Sequence, residues 1–376
     1  MGACNGCFTE TTLPSDPLAS VVMSVFNGER FLREAIESIL DQSFRNFEFV
    51  VINDGSTDGT PSMLDSYARR DPRVRAYHQE NKGLIESLNR GCALARGKYF
   101  ARMDADDLAV RDRLQWQIEF MDRHAEIAVV GGAVERIDSA GRALYCQHYP
   151  VENEEIKSAL PLFCPFEHPA VVIRKEAFLS VGGYRRFFVD AEDYDLWLRI
   201  AQRWRLANLK GVVLKHRIHA DQISFKKLRQ QVLSALAARA FASLRSSGSP
   251  EPVISDERIT PEVLVQLGVN QATQQRALLS AYGYWIGVMS GACQDDAALK
   301  LFEELTDLSR PGPVDRYALS NAMLSAARIH YRRGSPLRAL VSLGRAFVAR
   351  PVVAGRPLRR ALYSFFHGFK GEKGRA

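Results

Sequence analysis

Between residues 20 and 103 the chain repeats one pattern: a short apolar run, a polar cluster, then a helix-periodic segment. "SVVMSVF" (20–26) leads through "NG" into a stretch where Phe31, Leu32, Ala35, Ile36, Ile39 and Leu40 recur at helical spacing. "FEFVVIND" (47–54) leads into "GSTDGTPSMLDSYARR", with Pro61 where a first helical residue belongs. "RVRAYH" precedes the helix "GLIESLNRGCALARG", which Gly97 is expected to close. "KYFARM" then delivers "DADD" at 104–107. Continuous apolar runs of this length read as strands buried on both faces. Strand and helix alternating through short connections predict a parallel sheet with helices on both sides. Ligands of such sheets bind beyond the carboxyl ends of the strands. The polar clusters at 27–28, 53–59 and 104–107 all fall there.

After residue 110 the pattern is mixed. "DRLQWQIEFMDRH" predicts a helix, "IAVVGG" a strand, and "EHPAVVIRK" a strand running into a short helix. "GGYRRFFVDAEDYDLWLRIAQRW" reads as a glycine turn at Gly182-Gly183, a loop and an amphipathic helix. "GVVLKHRIHADQIS" is the last strand with its loop, and from about Phe225 the chain reads as helical. "SSGSPEPVISDE" (246–257) is a linker inside that region. The expected organisation is a flexible tail over 1–17, an α/β domain over 18–224 and a helical region over 225–376.

Bulk properties narrow the class. A length of 376 residues exceeds one typical domain, and 46% hydrophobic with 25% charged residues is ordinary for a globular protein. No run approaches the about 18 apolar residues that span a bilayer. The first residues lack a basic start followed by an apolar stretch, so a cytoplasmic location is expected. Six scattered cysteines do not form a disulfide framework, and the Cys4/Cys7 pair has no partner pair at zinc-ribbon spacing. The net charge of +7 resides in the C-terminus, where nine basic residues and one acidic residue follow from Arg338 on. There Leu358, Leu362, Phe365, Phe366 and Phe369 suggest an apolar face ringed by Arg359, Arg360 and Lys370. This face suits peripheral contact with an anionic membrane, or packing on its own domain. No nucleic-acid-binding module appears, so no nucleic-acid partner is expected.

The "DADD" cluster crowds Asp104, Asp106 and Asp107 at the end of a buried strand, where like charges repel and desolvation is costly. A solvated turn would tolerate them. A divalent cation would require them, because hard cations take oxygen ligands. "NDGSTD" is by itself a good strand-to-helix turn. "AEDYD" places acids in a first helical turn, where the macrodipole favours them. Asp107 is expected to cap a helix.

Together "SVVMSVFNGERFLREAIESILDQSFRNFEFVVINDGSTDGT", "ENKGLIESLNRGCALARGKYFARMDADD" and "GGYRRFFVDAEDYDLWLRIA" resemble family 2 glycosyltransferases of the GT-A (nucleotide-diphospho-sugar transferase) fold, over residues 18 to 224. The resemblance implies a doubly wound, mainly parallel sheet followed by a C-terminal α-helical region. It implies that Asp54 reads the nucleotide base with Ser24 and Phe26 nearby. By the same resemblance Asp106 binds Mn²⁺ or Mg²⁺ against a diphosphate, with Asp104 on the metal or the ribose and His219 as a third metal or diphosphate contact. Asp193, beside Glu192, would be the general base of an inverting transfer. His168 would line the acceptor side, and Lys82 and Arg102 would offset phosphate charge. The implied donor is a nucleoside-diphosphate sugar, UDP-linked. The implied acceptor is a hydroxyl of a saccharide or lipid-linked saccharide, in surface polysaccharide synthesis. Two other readings use the same acids: a nucleotidyltransferase, which "FNGERF" matches poorly, and an inactive sugar-nucleotide-binding protein.

Overall fold

The structure is a computed structural model, and it describes residues 16–220, 222, 227–254, 258–308 and 316–349. In chain order the first elements are β1 (Ala19–Val25), α1 (Leu32–Leu40), β2 (Phe47–Asp54), α2 (Thr60–Arg70), β3 (Val74–Gln79), α3 (Leu84–Leu94) and β4 (Tyr99–Met103). Then come β5 (Leu108–Ala109), α4 (Arg113–Arg123), β6 (Ile127–Ile137), β7 (Ala143–Gln147) and α5 (Asn153–Ala159). After a 3₁₀ turn at His168–Ala170 follow β8 (Val172–Arg174), α6 (Lys175–Ser180), α7 (Glu192–Ile200) and β9 (Arg205–Arg217). The last helices are α8 (Leu228–Ser246), α9 (Pro261–Gln266), α10 (Gln271–Gly291), α11 (Asp295–Leu308), α12 (Arg316–Arg332) and α13 (Pro336–Ala349).

The sheet order is β3-β2-β1-β4-β8-β6-β9-β5, with β7 on β6. β3, β2, β1 and β4 pair in parallel, as the strand–helix alternation predicts. β8 then pairs antiparallel with β4 and with β6, and β5 antiparallel with β9. This is the doubly wound layout with a mixed flank. The period of two fixes which residues meet which helices. Val21 lies in register with Phe49 and Ala101, and Met23 with Val51 and Met103. These side chains join Leu32, Ile36 and Ile39 of α1 and Leu114 and Ile118 of α4 in one core. Each large apolar side chain so buried stabilises the fold by roughly 1.5–3 kcal/mol. On the other face Phe100 meets Phe178 of α6 edge-on, ring centroids 5.5 Å apart. There α3 lies so close that a Cβ on Gly91 would sit 2.7 Å from Val22 Cγ1.

Gly97 does not close α3. The helix ends at Leu94 with Ala95 already extended. Gly97 instead admits β1, since a Cβ there would sit 2.6 Å from the carbonyl carbon of Ala19. Its N–H donates to Ser20 Oγ at 2.8 Å.

By compactness the chain forms two units. Unit 1 takes the residues up to Val134 with Gln147–Tyr184 and Ile200–Lys215. Unit 2 takes Glu135–Cys146, Arg185–Arg199 and the chain from His216 on. Within unit 2, α10 and α12 approach closely where Gly283 faces Ala318, and Leu279, Ile286, Leu301, Leu305 and Ala326 are buried. α8 ends at Ser246 and α9 starts at Pro261, so the predicted linker is non-helical over its described residues after Ser246. Among the described residues no helix is long and apolar enough to cross a membrane. Cys4, Cys7 and the basic-aromatic segment from Leu358 to Lys370 lie outside the described residues.

Candidate active site

In unit 1 the polar residues gather where β1, β2 and β4 end. The β1 and β2 loops are laced together through side chains. Asn27, held at φ 51°, accepts the Thr57 N–H on Oδ1 at 2.8 Å. The Asn27 N–H donates to Ser56 Oγ at 2.9 Å, and Glu29 Oε2 accepts the Gly59 N–H at 2.6 Å. Ser24 lies on β1 opposite Ile52, and Phe26, one residue past the strand, is 54% exposed. Asp54 ends β2 almost fully buried. Its Oδ1 accepts Gln79 Nε2 at 2.7 Å and the Lys82 N–H at 2.8 Å, and its Oδ2 accepts the Gly83 N–H at 2.8 Å. Asp54 therefore organises the turn into α3 from inside. Lys82 reaches it through backbone N–H, with its side chain exposed.

β4 carries the acids. Arg102, 3% exposed, pairs with Asp104 at 2.5 Å. The carboxylates of Asp104, Asp106 and Asp107 lie within 4.8 Å of one another, the group among the described residues that could hold a metal ion. Burial raises the pKa of Asp104, with the charges of Asp106 and Glu167 adding and that of Arg102 opposing. An all-oxygen set of this kind fits Mn²⁺ or Mg²⁺.

Asp107 does not cap a helix. It is 1% exposed and precedes the short strand β5, and α4 begins only at Arg113 behind Asp112. A strand pairing with β9 displaces the helix start, so Asp107 turns inward toward Arg113. Arg113 is fully buried and donates to the carbonyls of Arg102 at 2.8 Å and Val171 at 3.3 Å. It ties β4 to β8 beneath the acids.

His168 also lies in unit 1. Its Nε2 is 2.8 Å from Tyr184 Oη, and burial, with the Arg102 charge adding, lowers its pKa well below the usual 6.5. Neighbouring Glu167 accepts the Tyr149 hydroxyl at 2.5 Å. Tyr184 follows Gly182 and Gly183, both at positive φ, as the predicted glycine turn requires. Asn89 of α3 clamps the Tyr184 backbone: Nδ2 donates to its carbonyl at 2.9 Å, and Oδ1 accepts its N–H at 3.1 Å. Sequence reasoning missed Glu167, Tyr184 and Arg113. The adjacency of Glu167 to His168 was the one available signal.

In unit 2, α7 opens with Glu192, 4% exposed, and the half-buried Asp193. Asp193 Oδ1 accepts the Tyr194 N–H at 2.7 Å. Asp195 is fully buried and structural, accepting Arg185 Nε and Arg199 Nε at 2.9 Å each. His219 is 7% exposed, and its N–H donates to Gln222 Oε1 at 3.3 Å.

A parallel sheet with acids clustered beyond its carboxyl ends is the ligand-binding arrangement of α/β enzymes. The profile of the family described as "Glycosyl transferase family 2" matches residues 20–186. A putative glycosyltransferase of Bacillus subtilis, EpsE, is 35% identical over 224 residues, covering 57% of this chain and 77% of that one. The amylovoran biosynthesis glycosyltransferase AmsE of Erwinia amylovora is 32% identical over 55% of this chain and 79% of its own. The O-antigen biosynthesis glycosyltransferase WbnJ of Escherichia coli is 31% identical over 61% of this chain and 91% of its own. The chain belongs to glycosyl transferase family 2 and is a glycosyltransferase.

Proposed function

We propose that the protein transfers a sugar from a nucleoside-diphosphate donor, UDP-linked, to a hydroxyl of a saccharide or lipid-linked saccharide, with inversion and with a divalent cation. The carrying observation is the convergence of Asp104, Asp106 and Asp107 within 4.8 Å. Asp104 and Asp106 would hold Mn²⁺ or Mg²⁺. When bound, the ion offsets the charge that grows on the departing diphosphate. Arg102 orients Asp104 and adds positive charge at the same edge. Asp54 keeps one lone pair, on Oδ2, beyond its three accepted bonds, and it suits the imide N–H of uracil. Asp193 takes the proton of the acceptor hydroxyl while that oxygen bonds the anomeric carbon. The bond from that carbon to the diphosphate breaks on the opposite face, and its electron pair leaves with the diphosphate. His168, neutral and bonded to Tyr184, presents a polar ring to the acceptor. His219 and Lys82 serve as further contacts to the diphosphate. The names of AmsE and WbnJ support surface polysaccharide as the product class. A cytoplasmic enzyme with peripheral membrane contact through its basic C-terminus would suit that product.

The test is donor hydrolysis across a panel of nucleoside-diphosphate sugars with and without Mn²⁺, in wild type and Asp106→Asn. Turnover that needs metal, prefers a uracil base and falls about 10²-fold or more in the variant is expected. Equal turnover in metal-free wild type and in the variant would sink the mechanism.

A further inference from the structure

Unit 2 contains an open cavity of about 850 Å³ built only from its own residues, running from Val189 and Asp190 past the start of α8 to Tyr282 and Glu304. Asp190 is its unusual member. Its side chain is 7% exposed, with Lys227 Nζ 3.5 Å from Oδ1. Among the described residues the buried Oδ2 accepts no hydrogen bond. The backbone of Asp190 stands at φ 64°, a left-handed conformation that residues bearing a Cβ rarely adopt. A buried carboxylate oxygen without a donor is destabilising, and so is this φ. Two costs at one residue that faces a cavity point to a donor supplied from outside the chain.

The lining says which donor. Asp190, Glu304 and Asp307 face Lys227, Arg229 and Arg258, so the cavity has no net charge. A nucleoside diphosphate would gain no net attraction from a lining of balanced charge. A lone cation needs no such volume. Neutral hydroxyls both donate and accept, and the cavity offers partners of both kinds. Leu228, Leu233 and Ile259 provide apolar surface for the C–H faces of a ring. Tyr282 is held by its hydroxyl to Glu304 at 2.9 Å, which fixes this wall before a ligand arrives.

We infer that this cavity binds a neutral saccharide, with a sugar hydroxyl donating to Asp190 Oδ2. The inference rests on the glycosyltransferase reading only for its choice among hydroxyl ligands. The test uses the full chain with UDP and Mn²⁺ at saturation, so that donor-site binding is blocked. Tetrasaccharides of glucose, galactose, rhamnose and N-acetylglucosamine are titrated by ligand-observed NMR. At least one should bind wild type. In Asp190→Gly its affinity should fall at least about tenfold. The thermal midpoint of that variant should not fall, because glycine accepts the φ and the buried charge is gone. Arg258→Ala, which leaves the strained residue in place, should also weaken binding. Asp106→Asn should bind the saccharide as wild type does, whatever becomes of its donor hydrolysis, which separates failure of this site from failure of the catalytic proposal. No saccharide binding in wild type, or binding equal in wild type, Asp190→Gly and Arg258→Ala, would overturn the inference.

Discussion

The two ends of the parallel strands treat carboxylates in opposite ways. At the starting edge Glu48, the second residue of β2, is 2% exposed. It accepts Ser20 Oγ at 2.7 Å, the Arg96 N–H at 2.6 Å and Arg96 Nε at 3.1 Å, and it pairs with Arg75. Burial alone would raise its pKa, but the bonds from Arg96, Ser20 and Arg75 outweigh it and hold Glu48 below the ordinary 4.5. At the finishing edge Asp104 is pushed the other way, by burial and by its acidic neighbours, against a single opposing Arg102. A carboxylate satisfied by its own protein strengthens the fold. Acids crowded together store repulsion that a cationic ligand can relieve. The same sheet is therefore locked at one edge and primed at the other.

The contrast can be broken experimentally. Asp106→Asn should cost about 10²-fold or more in transfer and leave the thermal midpoint equal or higher, since it removes a repelling charge. A matching fall in stability would place Asp106 among the locking residues. Glu48→Gln should do the reverse: about 2–3 kcal/mol less stable by denaturant unfolding, with donor affinity unchanged. The pH dependence sharpens the difference. Because the folded pKa of Glu48 is depressed, its contribution is full above about pH 4.5 and is lost as pH falls through the lower folded value. The slope of stability against pH in that acid range should be shallower in Glu48→Gln than in wild type. A smaller effect concerns His168. Its depressed pKa keeps it neutral in the folded state, so its imidazole NMR signals should not titrate between pH 8 and 6.5. The stability it confers is present above 6.5 and declines below, as the unfolded chain takes up the proton. Tyr184→Phe, which removes one partly buried hydrogen bond to His168, should cost about 1 kcal/mol.

Much of this was legible in the sequence, because the signals are local. Apolar runs bounded by turn residues located β1, β2 and β4 within a residue or two, and the acids at their ends needed only the rule about carboxyl edges. What escaped depends on contacts distant in the chain. Arg113 lies in a predicted helix with no sign of its bond to the Val171 carbonyl, which exists only because β8 lies beside β4. Gly97 reads as a helix stop, but it is a point of close approach to β1. Asp107 reads as a cap because β5 is two residues long and finds its partner a hundred residues later. The passages from one unit to the other, at 134–135, 146–147, 184–185, 199–200 and 215–216, carry no compositional mark.

One contact bears on the proposed role of His168 at the acceptor. Asn89 imitates a neighbouring strand by bonding both the N–H and the carbonyl of Tyr184, 95 positions away. The ring that steadies His168 is thus aimed from α3 and not from the loop that bears it. Drift at position 89 would shift the Tyr184 ring, and His168 with it, without altering either residue.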